Sequence, residues 1–168
     1  GQLGVRKQDI LGFTRTMADL GVTTNLSSEA AATSLARMAN IMDNEAGPQY
    51  ERMGSTIVQL GNNLATTEAE IVEFGLRIAG AGKLAGLSEA QIFSIGGAMS
   101  SIGVAAEAGG TSVQKVLNKM TQAVATNSEE LGVFAQTAGM TAKQFSKAFK
   151  EDAGEAFTQF VEGIKTQG

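Results

Sequence analysis

The chain has no cysteine, no histidine and no tryptophan, and only one tyrosine and one proline among its 168 residues. Each absence closes a class of chemistry. Without cysteine there is neither a disulfide framework nor a thiolate metal site. With histidine missing too, the usual zinc ligand sets, the Ser-His-Asp triad and the Cys-His pair cannot be assembled from this chain. Charge is scarce at 18%, and the net charge of −4 argues against a duplex-binding domain, which normally carries a basic excess. What fills the space is small: 21 glycines and 25 alanines leave 46 of the 168 positions with almost no side chain. An apolar content of 43% is too high for disorder, and the length suffices for one domain burying roughly 70% of its unfolded surface. The chain starts at Gly1 without a charged-then-apolar leader and ends at Gly168 just after an amphipathic stretch. It therefore reads as a piece of a longer protein.

The apolar residues recur with helical spacing almost throughout. Tyr50, Met53, Ile57, Leu60 and Leu64 step by three and four, as do Ile71, Phe74, Ile78, Ala81 and Ala85. Ile92, Ile95, Met99, Ile102 and Ala106 form another stripe, and shorter ones run through Ile10–Leu20, Ala31–Met42, Val113–Val124 and Phe157–Ile164. Thr67-Glu68-Ala69-Glu70, Ser88-Glu89-Ala90-Gln91 and Thr141-Ala142-Lys143-Gln144 fit capping boxes, in which hydroxyl and Glu or Gln answer each other's backbone N–H. Ser27 and Ser128 suit N-caps, Pro48 a first helical turn, and Gly21, Gly86, Gly103 and Gly139 left-handed C-terminal caps. The fold expected is all-α: eight or nine short-to-medium amphipathic helices with short connections, packed as a single compact domain over residues 1–168. The helices are expected near 7–20, 28–42, 48–63, 68–84, 89–102, 110–126, 129–138, 142–150 and 153–165. The core is expected to centre on Phe13, Leu35, Met38, Ile57, Leu60, Phe74, Ile78, Ile95, Met99, Leu117 and Met120. The cap signals recur at irregular intervals, so they read as independent caps rather than a solenoid repeat.

Several short patterns imitate functional motifs and fail at specific positions. Gly80-Ala81-Gly82-Lys83-Leu84-Ala85 matches the dinucleotide fingerprint but follows a helix, where the chemistry requires a strand. Asp43-Asn44-Glu45-Ala46-Gly47 resembles a calcium loop, yet counting from Asp43 the sixth place is Pro48 and the twelfth Gly54. Glu68, Glu70, Glu73, Glu129 and Glu130 lie in first or second helical turns, where carboxylates suit the helix dipole, and no aromatic platform flanks them. Lys115 with Lys119, and Lys143 with Lys147 and Lys150, make local basic faces that read as solvent sides or as surfaces for nucleic acid or an acidic partner. The 17 uncharged residues Ala90–Ala106 fall short of the ~20 a membrane span needs. Within them Gly97, Ser101 and Ala105 form a small-residue ridge suited to close helix contact. The glycines at 12, 54, 75, 80, 82, 96 and 97 fall in or near helical patterns, each costing up to ~1 kcal/mol relative to alanine. Close helix crossings or helices that later rearrange would account for that cost.

The run Gly54-Ser55-Thr56-Ile57-Val58-Gln59-Leu60-Gly61-Asn62-Asn63, followed by Ala65–Glu68 and Glu70–Val72, resembles the phage tail tape-measure protein family. So do Arg77–Gly82, Gly86–Ile92, Glu107–Gly110, Phe13–Met17, Asn25–Ser27 through Ala39–Ile41, Phe134–Met140 and Phe145–Phe149. The resemblance covers nearly the whole chain. It implies the conserved region of a minor tail protein of a phage or prophage: a virion structural protein of the tail-tube lumen, present in the bacterial host cytoplasm during assembly. Such a protein sets tail length and leaves ahead of the DNA at genome ejection. The implied partners are the major tail (tube) protein, tail assembly chaperones, tail tip proteins and other copies of itself, with membrane contact at ejection and no specific nucleic-acid binding. The resemblance supplies no catalytic, cofactor-binding or metal-binding residue, so the expectation is a protein that is not an enzyme and carries no cofactor. Two other classes stay open: a membrane-active helical protein of the ejection channel, and a tail-associated muralytic enzyme.

Overall fold

In the computed structural model, which describes residues 3–44 and 47–167, the described chain is helical and contains no strand. A 3-10 turn at Lys7–Asp9 precedes nine α-helices: α1 (Ile10–Thr23), α2 (Ser28–Met42), α3 (Gly47–Asn63), α4 (Glu68–Ala85), α5 (Glu89–Ser101), α6 (Ala106–Thr126), α7 (Glu129–Thr137), α8 (Ala142–Glu151) and α9 (Ala153–Gln167). The helices start where side chains satisfy their first N–H groups. Ser27 Oγ accepts from the Ala30 N–H at 3.1 Å, and Thr67 with Glu70 and Thr141 with Gln144 close both arms of a capping box. Ser128 precedes α7 as expected, but its Oγ is buried without a partner and caps nothing. The Leu131 N–H instead bonds the Ser128 carbonyl at 3.0 Å.

The chain divides into two compact units, one of residues 1–80 with 89–112, the other of 81–88 with 113–168. In the first, α1 packs on α2 and α3, and α3 also packs on α5. Leu35, Met38, Ile57, Phe74, Ile78 and Ile92 are fully buried there, and Phe13 meets Tyr50 edge-on at 4.8 Å. Each such side chain contributes about 1.5–3 kcal/mol of burial. In the second unit α7, α8 and α9 pack on one another. Phe145 is fully buried there, stacked on Phe149 at 6.0 Å and on Phe134 at 6.4 Å.

Glycines set how closely helices approach. A Cβ on Gly96 of α5 would lie 3.1 Å from the Ile71 carbonyl oxygen and 3.2 Å from the Gly75 nitrogen, both α4 backbone. A Cβ on Gly97 would lie 3.0 Å from Leu64. The expectation of close contact at these two glycines holds.

Elsewhere the structure differs from the sequence reading for identifiable reasons. Gly86, Gly103 and Gly139 have positive φ, as C-terminal caps require, but Gly21 is inside α1. Its missing side chain leaves room for Ser28, which sits where a Cβ would be, and α1 runs on to Thr23. Likewise α6 starts at Ala106 rather than near 110, because Gly109 and Gly110 do not stop the helix: they clear space for Phe74 and Arg77. Leu60, Ile95 and Met99, expected at the core centre, are only half-buried. Ile102 is 71% exposed because α5 ends at Ser101 and the stripe does not continue through the turn.

Candidate interaction surfaces

Carboxylates that could have suggested catalysis are used by the fold. Glu70 Oε2 accepts from the Thr67 N–H and hydroxyl, both at 2.9 Å, and from the Thr66 hydroxyl at 3.1 Å. Those bonds, the Thr67 backbone first, hold its carboxyl below the usual glutamate range. Glu73 and Glu107 lie 3.5 and 3.4 Å from the Arg77 guanidinium, and Glu130 lies 3.6 Å from Lys119. Glu68 and Glu129 are first-turn residues of α4 and α7. No cluster of three or more Asp or Glu that could hold a metal occurs among the described residues.

A pH dependence follows at Glu70. A depressed folded pKa means the group's stabilising effect is present above the unfolded value and is lost as pH falls through the folded one. In a carboxyl-detected NMR titration Glu70 is expected to titrate below the 4.5 of a free glutamate, with the α4 N-terminus fraying over the same range. Glu70→Gln should keep the box, as Gln144 does at Thr141, and remove that pH dependence. A midpoint at or above the free value would show that the bonds do not persist in solution.

The remaining motif imitations resolve into helix geometry. Gly80–Ala85 forms the last turns of α4, so its backbone N–H groups are consumed within the helix and no N-terminus faces a phosphate. Asp43 is the left-handed C-cap of α2 at φ 54°, and Asn44 Nδ2 donates to the buried Glu89 Oε1 at 3.1 Å. Glu45 and Ala46 of that loop lie outside the described residues. The uncharged Ala90–Ala106 run holds all of the 13-residue α5 but its first residue, Glu89, and the whole helix is about 20 Å long at 1.5 Å per residue, against the ~30 Å of a bilayer core. No helix among the described residues is long and apolar enough to cross a membrane. The ridge of Gly97, Ser101 and Ala105 ends with α5, which leaves Ala105 outside it.

Among the described residues each unit carries an open groove. In the first unit α1 and α3 leave a groove of about 480 Å³ with Thr16, Leu20, Gly54 and Val58 at its floor and Asp19 and Glu51 beside them. Gly54 lets the two helices approach closely: a Cβ there would lie 3.1 Å from the Thr16 methyl and 3.6 Å from Leu20. In the second unit a groove of about 630 Å³ is lined by Lys143, Ser146, Lys147, Lys150 and Glu151 of α8, with Asn127. Helix α8 is sharply two-sided, burying Phe145 and Phe149 while exposing all three lysines. The structure thus gathers Lys143, Lys147 and Lys150 on one groove; Lys115 and Lys119 are not among its lining residues. The α1–α3 groove was not visible in the sequence, since only the pairing of two distant helices brings its lining residues together.

A family model described as phage-related minor tail protein matches residues 1–167. No curated protein and no solved structure matches the chain.

Proposed function

Because the chain belongs to the phage-related minor tail protein family across residues 1–167, we propose that it is the conserved region of a tail tape-measure protein. Residues 1–168 then act as one helical domain of a longer protein in the lumen of the tail tube. Its work is tail assembly and length determination, followed by departure ahead of the genome. Its partners are the tube protein, the tail chaperones, the tail tip and further copies of itself, and it performs no catalysis.

The family match carries this reading. The physical character of the chain supports it: Glu70 caps a helix, Glu73, Glu107 and Glu130 form ion pairs, and the two grooves described are charged surfaces suited to protein partners. The helix ends also bear on length. As one uninterrupted helix, 168 residues would span about 250 Å at 1.5 Å per residue, whereas a folded domain of that size has a radius of gyration near ~15 Å. Left-handed residues at Asp43, Gly86, Gly103, Asn127 and Gly139 interrupt any such helix. The region therefore acts by docking and nucleating assembly rather than in proportion to its length.

In-frame deletion of the region from the phage or prophage that carries it is expected to abolish tails or leave them aberrant, as scored by electron microscopy. Infectious particles with tails uniformly shorter by about 250 Å would make the region an extended ruler instead. Normal tails would end the proposal.

A further inference from the structure

We infer that the lysine face of α8 docks head to tail into the α1–α3 groove of a second copy of this chain. The inference deepens the structural reading above and rests on it for its setting. Charge is divided unevenly between the two units. The first holds eleven acidic and six basic residues, net −5, and the second holds six acidic and seven basic residues, net +1. All five arginines lie in the first unit and seven of the eight lysines in the second.

The two grooves carry that division to their linings. Of the three α8 lysines, Lys147 reaches Glu151 at 3.8 Å across an exposed i,i+4 pair, while Lys143 and Lys150 have no carboxylate within ion-pair distance among the described residues. On the other surface Asp19 and Glu51 are exposed, and neither forms an ion pair among the described residues. Arg15 and Arg52, the basic residues nearest to them in sequence, do not line the groove, and Arg52 is engaged with Gln49. The lengths agree as well. Lys143 to Lys150 and Thr16 to Thr23 each cover seven helical steps, about 10.5 Å.

The lining also selects between acidic protein and nucleic acid. The lysine groove contains Glu151 and no aromatic side chain. A phosphate backbone would meet that carboxylate, and bases would find nothing to stack on. A pair of carboxylates on helices needs no stacking partner, and with two charges rather than a continuous row it can engage Lys143 and Lys150 away from Glu151. Since each copy carries both complementary surfaces, the contact is heterologous: every association leaves one free surface of each kind, and assembly runs on to a ring or an open chain.

Sedimentation velocity on the 168-residue chain tests this, with circular dichroism confirming that each variant is folded. At about 50 mM salt the wild type is expected to form concentration-dependent oligomers that dissociate at about 500 mM, where screening shortens to a few ångströms. Lys143→Glu with Lys147→Glu and Lys150→Glu should abolish association, and so should Asp19→Lys with Glu51→Lys. Mixing the two charge-reversed proteins should restore it in full, because both cross-pairings, native α8 with native groove and reversed α8 with reversed groove, then bring opposite charges together. If the reversed helix does not fold, Lys143→Gln with Lys150→Gln keeps helix propensity and is expected to weaken association at least tenfold. A wild type that stays monomeric to about 1 mM, a lysine variant that associates normally, or a mixture that fails to pair would each overturn the inference. So would lysine-dependent binding of a DNA duplex by a chain that does not self-associate. None of these outcomes depends on tail assembly, so the deletion phenotype and the docking contact can fail separately.

Discussion

Phe74→Ala is expected to lower stability by about 3–5 kcal/mol, the cost of removing a buried aromatic ring whose surroundings cannot close over the gap. Phe74 has no exposed surface. Its ring occupies space that a glycine vacates: a Cβ on Gly109 would lie 3.0 Å from its Cε2. Its own Cβ is 3.2 Å from where a Gly96 Cβ would sit. The hole left by alanine would be bounded partly by α5 and α6 backbone at these glycines, which relaxes little. Urea denaturation followed by circular dichroism should show a lower midpoint with an unchanged slope, and Phe74→Leu should lie between. A loss under about 1 kcal/mol would mean the ring is not the wedge described.

Gly96→Leu is expected to cost at least about 1–3 kcal/mol through overpacking. The obstacle is backbone, the Ile71 carbonyl and the Gly75 N–H, so a rotamer change cannot relieve it. Gly97→Leu should cost less, because the nearest atom there is the tip of the Leu64 side chain. Gly80 supplies the opposite sign. It lies within α4 and a Cβ would meet nothing within 4 Å, so Gly80→Ala should gain about 0.5–1 kcal/mol from helix propensity alone. The same measurement ranks the three. If Gly96→Leu proved as stable as the parent, α4 and α5 would not cross at this distance.

The sequence revealed helices best where the information is local. Ser27 fixes the start of α2, and residues 28–42 were legible to the residue because cap and apolar stripe agree. Thr141 and Gln144 announce α8 in the same way. Helix ends made by residues other than glycine fell where expected, at Met42 and Thr126, although the residues that make them were not singled out: Asp43 and Asn127 stop α2 and α6 in the left-handed region, which short polar side chains tolerate. One signal was present and unread. Asp152 accepts the Glu155 N–H at 3.0 Å and caps α9, with Glu155 placed as in a capping box. Glycines misled when their role was tertiary, as at Gly21, Gly109 and Gly110, because one sequence cannot distinguish a stop from a clearance. The surfaces divide along the same line. Lysine spacing on α8 was readable, whereas the α1–α3 groove depends on two helices with another helix between them in the chain.

The separation between partners also sets an order of events during synthesis. Asn25 Oδ1 accepts from the Ala69 N–H, 44 positions later, and Asn44 reaches Glu89, 45 positions later. At roughly 5–20 residues per second, a nascent chain waits about 2–9 s between making the first partner and the second. Through that interval Ile57 and the rest of α3 lack the α5 surface on which that helix packs. By contrast α7, α8 and α9 are joined by Ala138–Thr141 and by Asp152 alone. Contacts that local close in microseconds to milliseconds, so the last part of the region to leave the ribosome folds almost as it appears, while the first part lingers half-made.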